Sequence, residues 1–294
     1  YTQRFADLFV EGAAETGADI VDIRLSEKNI APCLGCYHCW LSESGECVQK
    51  DDMGAVLREF IEADTVVCAT PVYYYGLSSR MQAFLERAFP LTKAGLATTP
   101  SGLFRNKIRH PQKWNGKSIV FIAVAALRSM ENFIPLKATC RLIAESLNMA
   151  LGGVLIRPES HCTLFERSNP TGLKRVREAF VQAGRDVGCT GRVSDDVQDV
   201  TSITLSPDAH SFQQQSQVYW DNAKKMGMDA LDPDLCVAKV ARDPRLILNR
   251  MVTSVDANAT ARVEAVLQFD FADPELHVKV TIDRGTASIA EVET

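Results

Sequence analysis

Three features that would place the chain in a familiar class of protein are missing from its sequence. No apolar run approaches the roughly 20 residues that a membrane-spanning helix needs. No basic cluster offsets the formal net charge of −5, which argues against nucleic-acid binding, because phosphate recognition needs concentrated positive charge. No charged segment followed by an apolar one is visible at the start, so no signal peptide is recognised. What remains is an ordinary globular composition, 46% hydrophobic and 23% charged.

Cysteine is abundant, with nine residues, an odd number, and four of them lie close together in the sequence. A secreted disulfide framework usually gives a smaller protein with an even cysteine count. In the reducing cytoplasm, clustered cysteines more often bind metal or carry out redox chemistry. We therefore expect a cytoplasmic protein.

Apolar segments of two kinds alternate along residues 1–190. Alternating apolar residues predict a strand at residues 19–25, and apolar segments predict strands at residues 65–70, 118–126 and 154–156. Helical spacing predicts amphipathic helices around them, among them one that opens near Pro135 and that Gly152 can end, and one that opens at Asn169-Pro170. This order predicts an α/β fold with a doubly wound parallel sheet.

The pattern changes in the last third of the chain. Residues 191–232 are more polar and are interpreted as an extension or linker. Residues 245–251 are predicted to be helical, and two strictly alternating segments, 263–271 and 276–282, flank Asp273-Pro274. This is typical of a half-buried antiparallel hairpin, so residues 233–294 are predicted to form a separate α+β segment.

The strongest chemical motif is a loop with four cysteines. Cys33, Cys36 and Cys39 are separated by gaps of two residues, and Cys47 comes after seven more. Four thiolates can hold a cubane iron–sulfur cluster or a tetrahedral zinc ion. Consecutive two-residue gaps favour the cubane, because zinc sites usually have two separated pairs. A metal-free loop that forms a reversible disulfide is the third interpretation, and His38 is a weaker fifth ligand candidate.

A second motif follows the predicted strand at residues 65–70. Its members are Thr70, Pro71, Val72, Tyr73, Tyr74, Tyr75 and Gly76. Ligands of open α/β sheets bind beyond the carboxyl ends of the strands, where this loop would present backbone amides and flat rings. An ordinary strand-to-helix turn with tyrosines packed on a helix is the alternative.

These two motifs together resemble the NADPH-dependent FMN reductase group, in particular its iron–sulfur flavoproteins. The resemblance rests on IAPCLGCYHCW…GECVQKDDM and ATPVYYYGLSSRMQAFLERAF and covers roughly residues 2–187. It implies a flavodoxin-like fold, bound FMN, NAD(P)H as donor and a homo-oligomer. It also implies electron transfer to a quinone, a small electrophile or a redox protein.

The same resemblance implies roles for individual residues. The segment from Thr70 to Gly76 would surround the flavin, and the four cysteines would hold a 4Fe-4S cluster. Glu86-Arg87 stands where the family commonly has Asp-Arg, and no catalytic residue is identified. The flavin would be flanked on its other side by Ala125, Ala126, Leu127 and Arg128, while Thr2 aligns with the hydroxyl residue that closes the family's phosphate loop.

The family's first strand and phosphate loop have no counterpart here. We therefore expect that the sequence is a fragment, that its sheet has a gap flanked by the strands at 19–25 and 65–70, and that it binds FMN weakly without the missing loop.

Three further expectations are weaker. The stretch VEAVLQFDFADPELHVKVTIDRG resembles half of a sterol-carrier (SCP-2-like) domain, which implies lipid binding, and a lipid-binding protein with a redox-inactive α/β scaffold is the alternative function. His161 could donate to the flavin. Cys68 and Cys140 lie on apolar faces and are predicted to be core cysteines.

Overall fold

The computed structural model describes residues 1–160, 165–225, 248, 252, 260–272 and 275–291. The chain divides into two compact units, Tyr1–Pro207 and Asp208–Thr294. None of the helices in these described parts is both long and apolar enough to cross a membrane.

The first unit alternates helices and strands. In chain order these are α1 (Thr2–Ala14), α2 (His38–Leu41), α3 (Met53–Glu62), β1 (Thr65–Pro71), α4 (Ser79–Glu86), β2 (Thr92–Thr98), β3 (Phe104–Ile108), β4 (Ser118–Val124), α5 (Ile134–Leu147), β5 (Ala150–Arg157), α6 (Phe165–Ser168), α7 (Pro170–Thr190) and α8 (Asp195–Thr201).

A parallel sheet in the order β1-β4-β5 forms the centre of this unit. Every residue of β4 is buried, which explains its uninterrupted apolar sequence, because helices cover both faces of such a strand. The α/β class and the parallel pairing of these three strands are thus confirmed. The core cysteines are confirmed too, since Cys68 and Cys140 are 3% and 0% exposed.

The predicted strand at residues 19–25 is wrong. The segment is irregular apart from a short 3₁₀ turn at Leu25–Glu27. Ile23 and Leu25 pack against the core, whereas Ile20 and Val21 are exposed, so only the end of this segment is partly buried. A strand also needs a hydrogen-bonded neighbour, and among the described strands β1 pairs with β4 alone. Residues 19–25 therefore do not form a strand beside the predicted gap in the sheet. The gap itself stays a prediction.

Gly152 was expected to end the helix that opens near Pro135, and this is wrong. Asn148 ends α5 in a left-handed conformation, with φ +58° and ψ +38°. Gly152 lies inside β5, at the irregularity in its pairing with β4, where a Cβ atom would lie 2.6 Å from the Gly191 carbonyl oxygen. The glycine is needed there for close backbone approach.

Helices α1 and α7 pack side by side on the sheet. The rings of Phe5 and Phe180 lie 4.6 Å apart between centroids. A Cβ atom on Gly184 would lie 1.9 Å from the Phe9 carbonyl oxygen, and one on Gly12 would lie 1.8 Å from that of Val181. The two helices therefore approach closely enough that only glycine fits at these positions.

The second unit contains α9 (Ala209–Lys225) and an antiparallel sheet of β6 (Glu264–Ala272), β7 (Glu275–Asp283) and β8 (Thr286–Glu291). The predicted hairpin is confirmed. The helix predicted at 245–251 and the turn at 273–274 lie outside the described residues. The predicted boundaries at 190 and 232 stay predictions.

Candidate functional site

The carboxyl edge of the parallel sheet brings the predicted flavin residues together. Because β1 and β4 are parallel and in register, Pro71 lies opposite Val124, and the loops that follow the two strands are neighbours. Beyond the strand ends, Val72 N donates to Val124 O at 2.8 Å, and Ala125 N donates to Arg157 O at 3.0 Å. The segments 71–76 and 125–128 therefore begin side by side.

Helix α1, which begins at Thr2, is oriented toward the same edge. The C-terminal end of α7 is at the opposite edge, because Gly191 lies against the hydroxyls of Ser118 and Thr65, the first residues of β4 and β1. The two helices run in the same direction. Phe5 of α1 lies against Phe180 of α7, and Thr16, just after the end of α1, lies against Gly188, farther along α7. The N-terminus of α1 consequently points toward the carboxyl edge.

The tyrosine segment folds into a tight hairpin turn. Tyr73 N donates to Gly76 O at 3.2 Å, and Gly76 N donates to Tyr73 O at 3.0 Å. Tyr74 and Tyr75, the central pair, have φ angles of +47° and +65°, as in a type I′ turn. Bulky residues are strained in this region by about 1–2 kcal/mol each. Tyr73, Tyr74 and Tyr75 are nevertheless 64%, 100% and 53% exposed.

The hydroxyl of Thr70 anchors this turn and does not face solvent. Thr70 is fully buried, and its Oγ1 accepts from Ser78 N at 3.1 Å and donates to the Pro71 carbonyl at 2.9 Å. Ser78 is the N-cap residue of α4 and accepts from Met81 N. Thr70 thus connects both ends of the loop that carries the tyrosines.

A buried charge cluster supports the loop at 125–128. Glu159 is fully buried with φ +51°, and its carboxylate accepts from Ser206 N at 3.2 Å and from the Ser206 hydroxyl. The Arg128 guanidinium lies 3.4 Å from Glu159, and that of Arg157 lies 3.8 Å from it. Arg128 is therefore turned toward Glu159, while Ala126 and Leu127 stay exposed. Sequence reasoning missed Glu159; its only signal was its place just after a strand.

The four motif cysteines line one pocket, together with Arg87, Phe89 and others. Burial raises the pKa of the Cys39 thiol, and the neighbouring thiols of Cys47, Cys33 and Cys36 raise it further. As the side chains stand, no three His, Cys, Asp or Glu residues of the described chain form a metal-ligating group. The thiols would have to reorient to bind a shared centre.

Two aromatic side chains, Tyr37 and Phe89, line this pocket. Tyr37 and Phe89 both lie near Trp40, at centroid distances of 5.2 Å each. The Trp40 indole donates to Phe89 O at 3.2 Å. Arg109 Nη2 donates to Cys39 O at 3.0 Å, so the short helix α2 is held by residues that flank the hairpin of β2 and β3.

An ion pair closes the base of the cysteine loop. Arg87 donates to both carboxylate oxygens of Asp51, at 2.7 Å and 2.9 Å, and to Ala31 O at 2.8 Å. Asp51 also accepts from the backbone of Ala31 and Met53, at 3.0 Å and 3.1 Å. The Arg87 hydrogen bonds lower the pKa of Asp51 to about 2. Residues 31 and 51, the two ends of the loop, are thus joined through one arginine.

Both candidate cofactors suit the side chains present. Three exposed tyrosine rings on a strained turn offer flat surface for a planar ring at the carboxyl edge. The cysteine pocket supplies four thiols, and the Nε of Arg87 is a buried donor with no hydrogen-bond partner in the described structure. His161, the other predicted flavin neighbour, lies outside the described residues.

Comparison with known proteins agrees with the motifs. Residues 1–133 match the model of the NADPH-dependent FMN reductase family. An iron-sulfur flavoprotein of Archaeoglobus fulgidus is 34% identical over 87 residues, which are 30% of this chain and 39% of that protein. One of Methanocaldococcus jannaschii is 36% identical over 78 residues, 26% of this chain and 39% of that protein. The matches span less than half the length of these relatives. The resemblance to the NADPH-dependent FMN reductase group is therefore confirmed over residues 1–133.

Among solved structures, an FMN-dependent NADH-azoreductase from Bacillus anthracis in complex with FMN is 12% identical. The match covers 64% of this chain and 91% of that one, with a TM-score of 0.45. This similarity is too low to carry an argument, so the fold rests on the strand pairing itself.

Proposed function

We propose that this chain, whose residues 1–133 match the NADPH-dependent FMN reductase family, acts as an FMN-dependent NAD(P)H oxidoreductase. Its electrons would pass to a quinone, a small electrophile or a redox protein. The observation that supports the proposal is that the tyrosine turn and residues 125–128 begin side by side at the carboxyl edge of the sheet. FMN bound there supplies hydride acceptance and single-electron release.

The residues of this edge would bind and orient the flavin. The tyrosine rings would cover one side of the planar ring and exclude water from it, while Ala126 and Leu127 would flank the other. Thr70 and Glu159, which lie behind the two loops, would keep them in position. A binding surface that is rigid before the ligand arrives loses less entropy on binding.

We also propose that Cys33, Cys36, Cys39 and Cys47 hold a 4Fe-4S cluster. The support is their shared pocket, their thiol-only donor set and the similarity to proteins named iron-sulfur flavoproteins. Zinc bound by the same thiols is the competing occupant. The homo-oligomer and the lipid-binding role of residues 233–294 stay predictions.

The flavin proposal is tested by titrating the purified full chain with FMN and by following NAD(P)H oxidation with ferricyanide as acceptor. We expect paired visible bands of bound flavin and acceptor-dependent oxidation. Tyr74→Ala should weaken FMN binding, whereas Phe104→Ala, which removes a ring of similar exposure from β3, should not. If Tyr74→Ala and Phe104→Ala bound FMN equally well, the tyrosine turn would not be part of the flavin site.

The cluster proposal is tested by iron and acid-labile sulfide assays on anaerobically purified protein. About four irons per chain are expected, as in a cubane. Cys36→Ser should lose them, while Cys189→Ser, an exposed cysteine outside the pocket, should keep them. Stoichiometric zinc without sulfide would assign the site to zinc.

A further inference from the structure

Arg87, which lines the cysteine pocket, has one buried nitrogen without a hydrogen-bond partner in the described part of the chain. Arg87 is 2% exposed, and its two terminal nitrogens are occupied by Asp51 and by Ala31 O. Its Nε is buried as well and has no hydrogen-bond partner within the described residues. A buried donor left unpaired destabilises the folded chain, so such a group calls for an explanation.

The pocket beside this donor contains the four cysteine sulfurs. Arg87 and all four motif cysteines line the same pocket. Asp51 raises the pKa of Arg87, and Cys47 lies close enough to the guanidinium to help raise it. Arginine keeps its charge under all ordinary conditions, and its N–H groups have fixed directions. The terminal nitrogens are fixed by Asp51, so the direction of the remaining N–H is fixed with them.

A centre held by four thiolates is negatively charged, and its sulfurs accept hydrogen bonds. Donors aimed at such sulfurs stabilise the reduced form, which carries one more negative charge, and this raises the reduction potential. Asp51 balances much of the charge of Arg87, so the effect comes mainly from the directed N–H group. The salt bridge therefore orients a donor and does not simply add a positive charge.

We propose that Arg87 Nε donates a hydrogen bond to a sulfur of the centre held by the four cysteines, at or beside Cys47, and thereby sets the reduction potential of that centre. Arg87 is then a positioning and tuning residue and not a catalytic one. The inference rests on the cysteine site of the proposed function and extends it to a residue outside the four ligands. An electron that reduced such a centre would come from the flavin and pass to the acceptor, so Arg87 itself would take up and release no electron.

Redox titration followed by EPR tests this on the anaerobically purified full chain. Arg87→Lys keeps a cation beside Asp51 but lacks the Nε donor, so we expect a lower midpoint potential at unchanged iron content. Arg109→Lys is the matched control, because Arg109 also supports the loop but its Nε already donates to Pro90 O at 3.2 Å. The potential of this control should stay at the wild-type value.

A second measurement does not depend on how the variant folds. Protein labelled with ¹⁵N-arginine and reduced to the paramagnetic state should show a ¹⁵N hyperfine coupling in pulsed EPR. The coupling should be absent in Arg87→Lys and present in Arg109→Lys. Wild-type protein without this coupling, or an Arg87→Lys variant with the wild-type potential, overturns the proposal.

Flavin binding and ferricyanide reduction are measured on the same samples. Protein that binds FMN and oxidises NAD(P)H but contains no iron overturns the inference on Arg87 and leaves the flavin proposal standing. Protein that holds iron and shows the coupling but does not bind FMN overturns the flavin proposal and leaves the inference on Arg87 standing.

Discussion

At the scale of single residues, the pair of Arg87 and Asp51 stabilises the fold and fixes the cysteine loop at once. The carboxylate is 8% exposed and its pKa falls from an ordinary 3.8 to about 2. A depressed carboxyl pKa gives stability that is present above the ordinary value and lost as the pH falls toward the folded value. The pair therefore stabilises the fold at neutral pH and loses its effect between about pH 4 and pH 2.

Asp51→Asn tests this pair. Removing one partner leaves the buried guanidinium uncompensated, so the free energy of unfolding should fall by about 3 kcal/mol at pH 7. The difference between wild type and variant should shrink by roughly 2 kcal/mol as the pH is lowered from 4 to 2. Urea unfolding across this range measures both. Asp22→Asn is the control, because its pair with Arg24 is exposed and should change stability by less than about 1 kcal/mol.

The strained tyrosine turn makes a second prediction. Replacing Tyr74-Tyr75 by Asn-Gly, the preferred type I′ pair, should raise the free energy of unfolding by about 1–2 kcal/mol. The same change should weaken FMN binding about tenfold, because two rings are lost. Urea unfolding and FMN titration measure the two effects. His110→Gly removes a left-handed non-glycine residue elsewhere and should raise stability without changing FMN affinity. A turn variant that binds FMN as wild type does would show that the strain serves another purpose.

Sequence reasoning reached the residues of both motifs but not their supports. The cysteines and tyrosines form local patterns, which can be read from spacing. Arg87 and Asp51 are 36 residues apart, and Arg128 and Ser206 are 78 apart, so no local pattern links them. The burial of these charges could not be predicted either, because Arg and Glu are normally exposed.

At the scale of elements, the strands that lie inside the sheet were predictable and the others were not. β1, β4 and β5 are apolar because burial on both faces requires it. The antiparallel hairpin of β2 and β3 was missed because it has no hydrophobic alternation, and Leu96 and Phe104 are exposed on it. Residues 19–25 show the opposite case, in which a strand-like alternation has no neighbour with which to pair.

The contact between α1 and α7 gives an element-scale prediction. Gly184→Ala would place a methyl group within 1.9 Å of the Phe9 carbonyl oxygen and force the helices apart. We expect the free energy of unfolding to fall by about 1–3 kcal/mol. Because α1 carries Thr2, FMN affinity should fall as well. Thermal or urea unfolding with FMN titration measures both.

Gly54→Ala is the control for this helix contact. Its new methyl group would lie 4.0 Å from the flexible end of Arg58, and alanine favours the helix by up to about 1 kcal/mol. Stability should therefore stay equal or rise. A Gly184→Ala variant as stable as this control would mean that α1 and α7 are packed less tightly than described.

At the scale of the whole molecule, all candidate site residues lie in one unit. Thr2, the cysteine loop, the tyrosine turn and residues 125–128 fall within Tyr1–Pro207. The last part of that unit is structurally important, because Ser206 bonds to Glu159 and the carbonyls of Thr201 and Ile203 accept from Arg157. The change of sequence pattern near residue 190 gave no sign of these bonds, which again join distant positions.

Shortened chains test where the functional unit ends. A chain of residues 1–207 should bind FMN and iron as the full chain does, within about twofold, because it keeps both candidate sites with their supports. A chain of residues 1–190 lacks Thr201, Ile203 and Ser206, which hydrogen-bond to Arg157 and Glu159, so two buried charges lose some of their hydrogen bonds and stability should fall by about 3 kcal/mol or more. Urea unfolding, FMN titration and iron assays on both chains measure these effects.

Two outcomes would contradict this prediction. If the 1–207 chain bound FMN ten times more weakly than the full chain, residues 208–294 would contribute to FMN binding. If the 1–190 chain were as stable as the 1–207 chain, the buried cluster around Glu159 would not support the fold.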